Sequence, residues 1–141
     1  MNINTDLSCV SGCRLLEAHK VVDDRGILCY ADIFDIIPFD IKRIFWIYSV
    51  EVGKMRGGHS HSTCSETIFP VSGSFDIEVT DGHHKSCVTM NDPSKGILIP
   101  AGIWCELRNF SPDAVCVVAA SHHYDAKGYI NDFNEYKNQC K

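Results

Sequence analysis

The stretch that decides the fold runs Gly53-Lys54-Met55-Arg56-Gly57-Gly58-His59-Ser60-His61-Ser62-Thr63-Cys64-Ser65-Glu66, and reaches Gly73 after six further residues. His59 and His61 are two positions apart, so on a strand both side chains leave the same face. Glu66 opens the next apolar run and can meet them there. The glycines at either end permit turns. A second constellation follows at Pro100, Gly102, Cys105 and Asn109. One His-x-His pair among seven histidines is weak by itself. Its pairing with the second constellation is what carries weight. His83-His84 and His122-His123 read as solvated turn residues.

Outward from this stretch the dominant period is two, the mark of strands. Residues 26–33 and 41–52 read as strands, with Ile44, Trp46, Tyr48, Val50 and Val52 on one face of the second and Arg43, Phe45 and Ile47 on the other. Residues 67–71 lead into the Ser72-Gly73 turn, and Phe75, Ile77 and Val79 alternate with Asp76 and Glu78. Asp81-Gly82 marks a hairpin turn continuing into 87–90. Segments 96–100 and 104–109 flank Pro100-Ala101-Gly102, and 114–120 is an apolar strand. Short strands at this spacing predict an all-β sandwich or barrel. Helix is expected only in the tail, within 125–136.

The chain has 141 residues, 45% apolar and 22% charged, which predicts one globular domain over 1–141. A formal net charge of −5 with no basic run argues against a nucleic-acid binder. No segment approaches the roughly 18 apolar residues of a membrane span. The polar stretch 1–11 lacks a secretory pattern, so a cytoplasmic location is expected. Eight cysteines without a Cys-x-x-Cys pair then read as reduced thiols, several of them in apolar strands.

The bipartite pattern resembles the two signature motifs of the cupin superfamily, jelly-roll barrels of antiparallel strands, with Cys105 where many cupins carry a third histidine. The flanks narrow the resemblance. Asp24-Arg25-Gly26, Ile37-Pro38-Phe39-x-Ile41-Lys42-Arg43, Arg56-Gly57-x-His59-x-His61, Asp81-Gly82 and Ala120-Ser121-x-x-Tyr124-Asp125-x-x-x-Tyr129-Ile130 occur in this order. Over about 24–136 the chain resembles the dTDP-4-keto-6-deoxyglucose 3,4-ketoisomerases. The resemblance implies an isomerase that moves the keto group of dTDP-4-keto-6-deoxyglucose from C4 to C3 through an enediolate. That step feeds 3-amino-3,6-dideoxy sugars for surface polysaccharides such as lipopolysaccharide O-antigen, for S-layer glycans or for antibiotics. It also implies a homodimer with exchanged N-terminal strands and no cofactor.

Under that resemblance His59 is the base for the carbon-bound proton, since an imidazole titrates near working pH. His61 would position the hydroxyl oxygens or move the proton between them. Arg56 can steady the enediolate or hold the site's shape. Arg25, Lys42 and Arg43 are candidate diphosphate partners. Trp104 and Trp46 can stack on base or sugar, or pack in the core. Arg25 leans toward the galacto product.

Five positions depart from the family: Ser62 for a lysine, Glu66 for a glutamine, Phe45-Trp46 for two tyrosines, and Cys105 for histidine or arginine. Glu66 and Cys105 open a second reading. His59, His61, Glu66 and Cys105 would together suit a divalent metal, in a metal-dependent cupin enzyme of another class. A non-catalytic sugar-nucleotide-binding cupin is a third.

Overall fold

The computed structural model describes residues 7–140. Twelve strands and one helix follow in order: β1 (Arg14–Glu17), β2 (His19–Asp23), β3 (Gly26–Tyr30), β4 (Arg43–Tyr48), β5 (Arg56–His61), β6 (Glu66–Ser72), β7 (Phe75–Thr80), β8 (Lys85–Met90), β9 (Lys95–Ile99), β10 (Trp104–Arg108), β11 (Val115–Ala120), β12 (Tyr129–Ile130) and α1 (Phe133–Gln139). They form two five-stranded antiparallel sheets, ordered β1-β9-β6-β11-β4 and β12-β5-β10-β7-β8. The third sheet is the hairpin β2-β3. This is the all-β architecture the strand spacing predicts, and it is cupin-like as the resemblance implies. No ladder joins the two large sheets among the described residues.

Alternation sets the core. Ile77 and Val79 of β7, Leu107 of β10 and Cys116 and Val118 of β11 point between the sheets, beside Phe75 and Ile97. A 3-10 turn at Leu7–Cys9 lies against both β1 and β8 and covers one seam between the sheets. At the opposite seam β4 faces β12 and β5, and side chains span the gap.

Three expectations need correction. The strand expected over 41–52 is β4 alone, because Ser49 turns the chain with φ of 57°. The Asp81-Gly82 turn is wider than two residues: the Asp81 carboxylate accepts from the backbone N–H groups of His83 and His84 before β8 begins. The tail is not one helical segment. Asp125 caps a 3-10 turn, Ala126–Gly128, and Tyr129–Ile130 joins a sheet. Asp132 then caps α1 by accepting from Glu135 N–H at 2.9 Å. Among the described residues no helix is long and apolar enough to cross a membrane.

Candidate active site

His59 and His61 both point inward from β5, their ring centres 4.9 Å apart and nearly perpendicular. What sets them there is a bulge. Cys105 of β10 pairs with His59 while Glu106 pairs with Gly57, leaving Gly58 as the extra residue. Gly57 has φ of +82°, and a Cβ there would lie 2.8 Å from the Cys105 carbonyl oxygen. Glycine is therefore required, and the bulge re-aims the strand just before the histidines. The two sequence motifs meet at this point: Gly102 N–H donates to the His61 carbonyl at 2.8 Å.

Glu66 reaches across from the first residue of β6. Its Oε1 lies 3.4 Å from His61 Nε2, with both side chains under a tenth exposed. That is ion-pair reach without hydrogen-bond geometry, and His61 Nε2 has no hydrogen-bond partner among the described residues. His59 is held below the ordinary histidine value by burial first, then by the neighbouring charges of His61 and Arg43, against the pull of Glu66. That lowering favours the neutral imidazole.

Arg43 projects inward from β4. Its Nη2 donates to the Tyr129 hydroxyl at 3.3 Å, across the seam between the two sheets. Its guanidinium lies 5.0 Å from the Phe45 ring centre and 5.7 Å from that of Tyr124. Tyr129 pairs in register with His61, and its ring centre is 4.4 Å from that of His61 and 4.9 Å from that of His59. Ser62 N–H and Oγ both bond the Gly128 carbonyl and fix the turn that delivers Tyr129. One departure from the family pattern thus has a local structural role.

Two cavities share Arg43, Tyr124 and Tyr129 as walls. The inner one, about 250 Å³, is lined by His59, Glu66, Cys105, Phe45 and Arg56. The outer one, about 290 Å³, is lined by His61, Thr63, His122, His123 and Asp125. Together they fall in the range of small-ligand clefts. His122 and His123 are exposed, as expected, but they line the cleft rather than a bare turn.

The other candidates are placed as follows. Arg43, Arg56, Glu66 and Cys105 join the histidines. Lys42 is exposed and alternates to the outer side of β4 from Arg43. Arg25 lies at the β2-β3 tip, paired with Asp23 at 2.7 Å and remote from both cavities. Trp104 is not a cleft residue. It faces away from its neighbour Cys105, is 5% exposed, and packs 5.2 Å from Phe133 and 5.7 Å from Tyr136 of α1. Trp46 is 62% exposed on the outer face of β4, so it is not core either. Asn109 follows β10 with φ of 56° and bonds Asp76, away from the cleft.

His59, His61, Glu66 and Cys105 lie close together around the two cavities. Among the described residues no three His, Cys, Asp or Glu side chains converge as a metal-holding group. The Cys105 thiol is pushed well up by burial and then by the Glu66 charge.

Tyr129 and Tyr124, walls of both cavities, are among the cleft residues not singled out from the sequence as site residues. Asp132-x-x-Glu135 is a capping signal that places the start of α1 after residue 132 and frees Tyr129–Ile130 to be a strand.

The chain matches the family described as "WxcM-like, C-terminal" (FdtA) over residues 11–141. It is 30% identical over 124 residues to the TDP-4-oxo-6-deoxy-alpha-D-glucose-3,4-oxoisomerase of Aneurinibacillus thermoaerophilus, covering 88% of this chain and 89% of that one. A crystal structure of a 3,4-ketoisomerase from Helicobacter canadensis superposes with TM-score 0.88 at 32% identity, covering 92% of this chain and 97% of that one. A histidine-to-asparagine mutant of the 3,4-ketoisomerase QdtA from Thermoanaerobacterium thermosaccharolyticum, in complex with TDP-4-keto-6-deoxyglucose, gives 0.90 at 29%, covering 93% and 95%. Family match, near-complete coverage and shared fold agree, and the chain belongs to the FdtA, WxcM-like C-terminal family.

Proposed function

We propose that the protein is a sugar-nucleotide 3,4-ketoisomerase converting dTDP-4-keto-6-deoxyglucose into the corresponding 3-keto sugar. One observation carries the reading: two adjacent imidazoles line two cavities that share Arg43 as a wall, His59 with Arg56 in the inner one and His61 in the outer, in a chain that aligns almost end to end with ketoisomerases. The C4 carbonyl acidifies the hydrogen on C3. Neutral His59 removes it, the electron pair forms the C3–C4 double bond, and negative charge gathers on O4. Arg43 and Arg56 supply the positive charge that this enediolate needs. The hydrogen on O3 passes to O4, leaving the carbonyl at C3, as His59 returns its hydrogen to C4, and His61 positions the two oxygens. The steps need no cofactor.

The working form is a homodimer with exchanged N-terminal strands. The hairpin β2-β3 pairs with no other strand among the described residues. An isolated two-stranded hairpin is marginal in water. Val22 and Ile27, which are register partners, are each 66% exposed, and Leu28 is 58% exposed. Exchange would cover them, and is the arrangement by which Arg25 can serve a cleft that it does not line in its own chain. The lean toward the galacto product rests on Arg25 and depends on that exchange. Product of this kind supplies a 3-keto group for amination in deoxysugar synthesis of the O-antigen type, in the cytoplasm.

The test is incubation of the protein with dTDP-4-keto-6-deoxyglucose, with and without chelator, followed by NMR. A 3-keto product formed equally in both samples is expected, with the coupling at H4 distinguishing galacto from gluco. Binding without turnover would favour a non-catalytic member, and loss of turnover with chelator would favour a metal enzyme.

A further inference from the structure

Isomerisation moves two hydrogens, and the cleft has an unassigned group for the second. One hydrogen passes from C3 to C4, and the other passes from O3 to O4. His59 can carry the first. His61 is poorly placed for the second: it is 8% exposed, its Nε2 is turned toward Glu66, and the Tyr129 ring covers it at 4.4 Å. Tyr129 is better placed. Its hydroxyl accepts from Arg43, and its own hydrogen meets no acceptor among the described residues. It is a wall of both cavities, so a ligand filling them passes over it.

Resting on the ketoisomerase reading, we propose that Tyr129 is a catalytic residue whose phenol carries the oxygen-bound proton from O3 to O4. As His59 takes the hydrogen from C3, the C–H pair becomes the C3–C4 double bond. The carbonyl pair moves onto O4, which takes the phenol hydrogen. The enediol then faces a phenolate and a protonated His59. In the second half the phenolate takes the hydrogen from O3 and C3 becomes the carbonyl. The double-bond pair takes the hydrogen from His59 at C4. Both side chains end as they began, and nothing external is oxidised or reduced. Arg43 donates to the oxygen that carries the negative charge between the halves, where a preorganised donor is most effective.

The experiment is Tyr129→Phe, which keeps the ring against both histidines and removes only the hydroxyl. Product formation and deuterium entry at C3 are followed together by NMR in deuterated water. The expected result is a fall in product formation of about 100-fold, the lower end for loss of one acid–base group. KM changes little, and the ratio of C3 exchange to product rises, because the enolate forms but returns. A Tyr129→Phe enzyme within threefold of the parent on both readouts would overturn the proposal. Wild-type protein that neither turns over nor exchanges C3 would overturn the ketoisomerase reading with it. Fluorotyrosine incorporated at Tyr129 gives an independent check that preserves packing. Fluorination makes a phenol more acidic, so the basic limb of the kcat profile should move to lower pH; an unmoved limb would count against the proposal.

Discussion

At the residue scale, the protonated form of His59 is disfavoured by burial and by the charges of His61 and Arg43, while Glu66 favours it. A base works in its deprotonated form, and kcat/KM follows the free enzyme. The acid limb of kcat/KM is therefore expected below pH 6.5, the ordinary histidine value from which His59 is lowered. Glu66→Gln removes the one influence that raises His59, so the limb should move further toward acid. A limb at or above 6.5, or one moving toward base in Glu66→Gln, would contradict the assignment of His59 as the base.

At the scale of elements, the bulge in β5 and the short strand β12 build the cleft. Gly57→Ala places a Cβ 2.8 Å from the Cys105 carbonyl oxygen at a φ of +82°. A cost of roughly 1–3 kcal/mol in stability is expected, together with lost turnover, because the same bulge aims His59. Thermal melting and steady-state rates check both; an unshifted melting curve would contradict the role of the bulge. Much of this was legible beforehand. Period-two alternation located β4, β7, β10 and β11, and the His-x-His spacing put both imidazoles on one face with Glu66 opposite. What was not legible depends on distant contacts. Trp104 and Cys105 are neighbours on one strand, and which of them faces the cleft is fixed by α1 packing over Trp104. Tyr129–Ile130 is too short to show a period, and its strand character comes from pairing with Ser60 and His61.

At the scale of the whole molecule, the exposed apolar hairpin argues for a partner copy. Apolar groups at this exposure on an unsupported element mark an interaction surface. Sedimentation at micromolar concentration is expected to show a dimer. The double variant Val22→Glu and Ile27→Glu places two charges on one face of the hairpin and should give monomers with reduced turnover. A monomeric wild type, or a variant that stays dimeric and fully active, would contradict the exchanged-strand arrangement.

The proposed isomerisation turns on His59 moving the hydrogen between C3 and C4. The direct measurement is proton NMR of dTDP-4-keto-6-deoxyglucose with the protein in deuterated water, comparing wild type with His59→Asn. Deuterium is expected at C3 of recovered substrate and C4 of product with the wild type, and at neither position with His59→Asn. A wild-type sample whose C3 proton never exchanges and which forms no 3-keto product, or an undiminished exchange in His59→Asn, would contradict it.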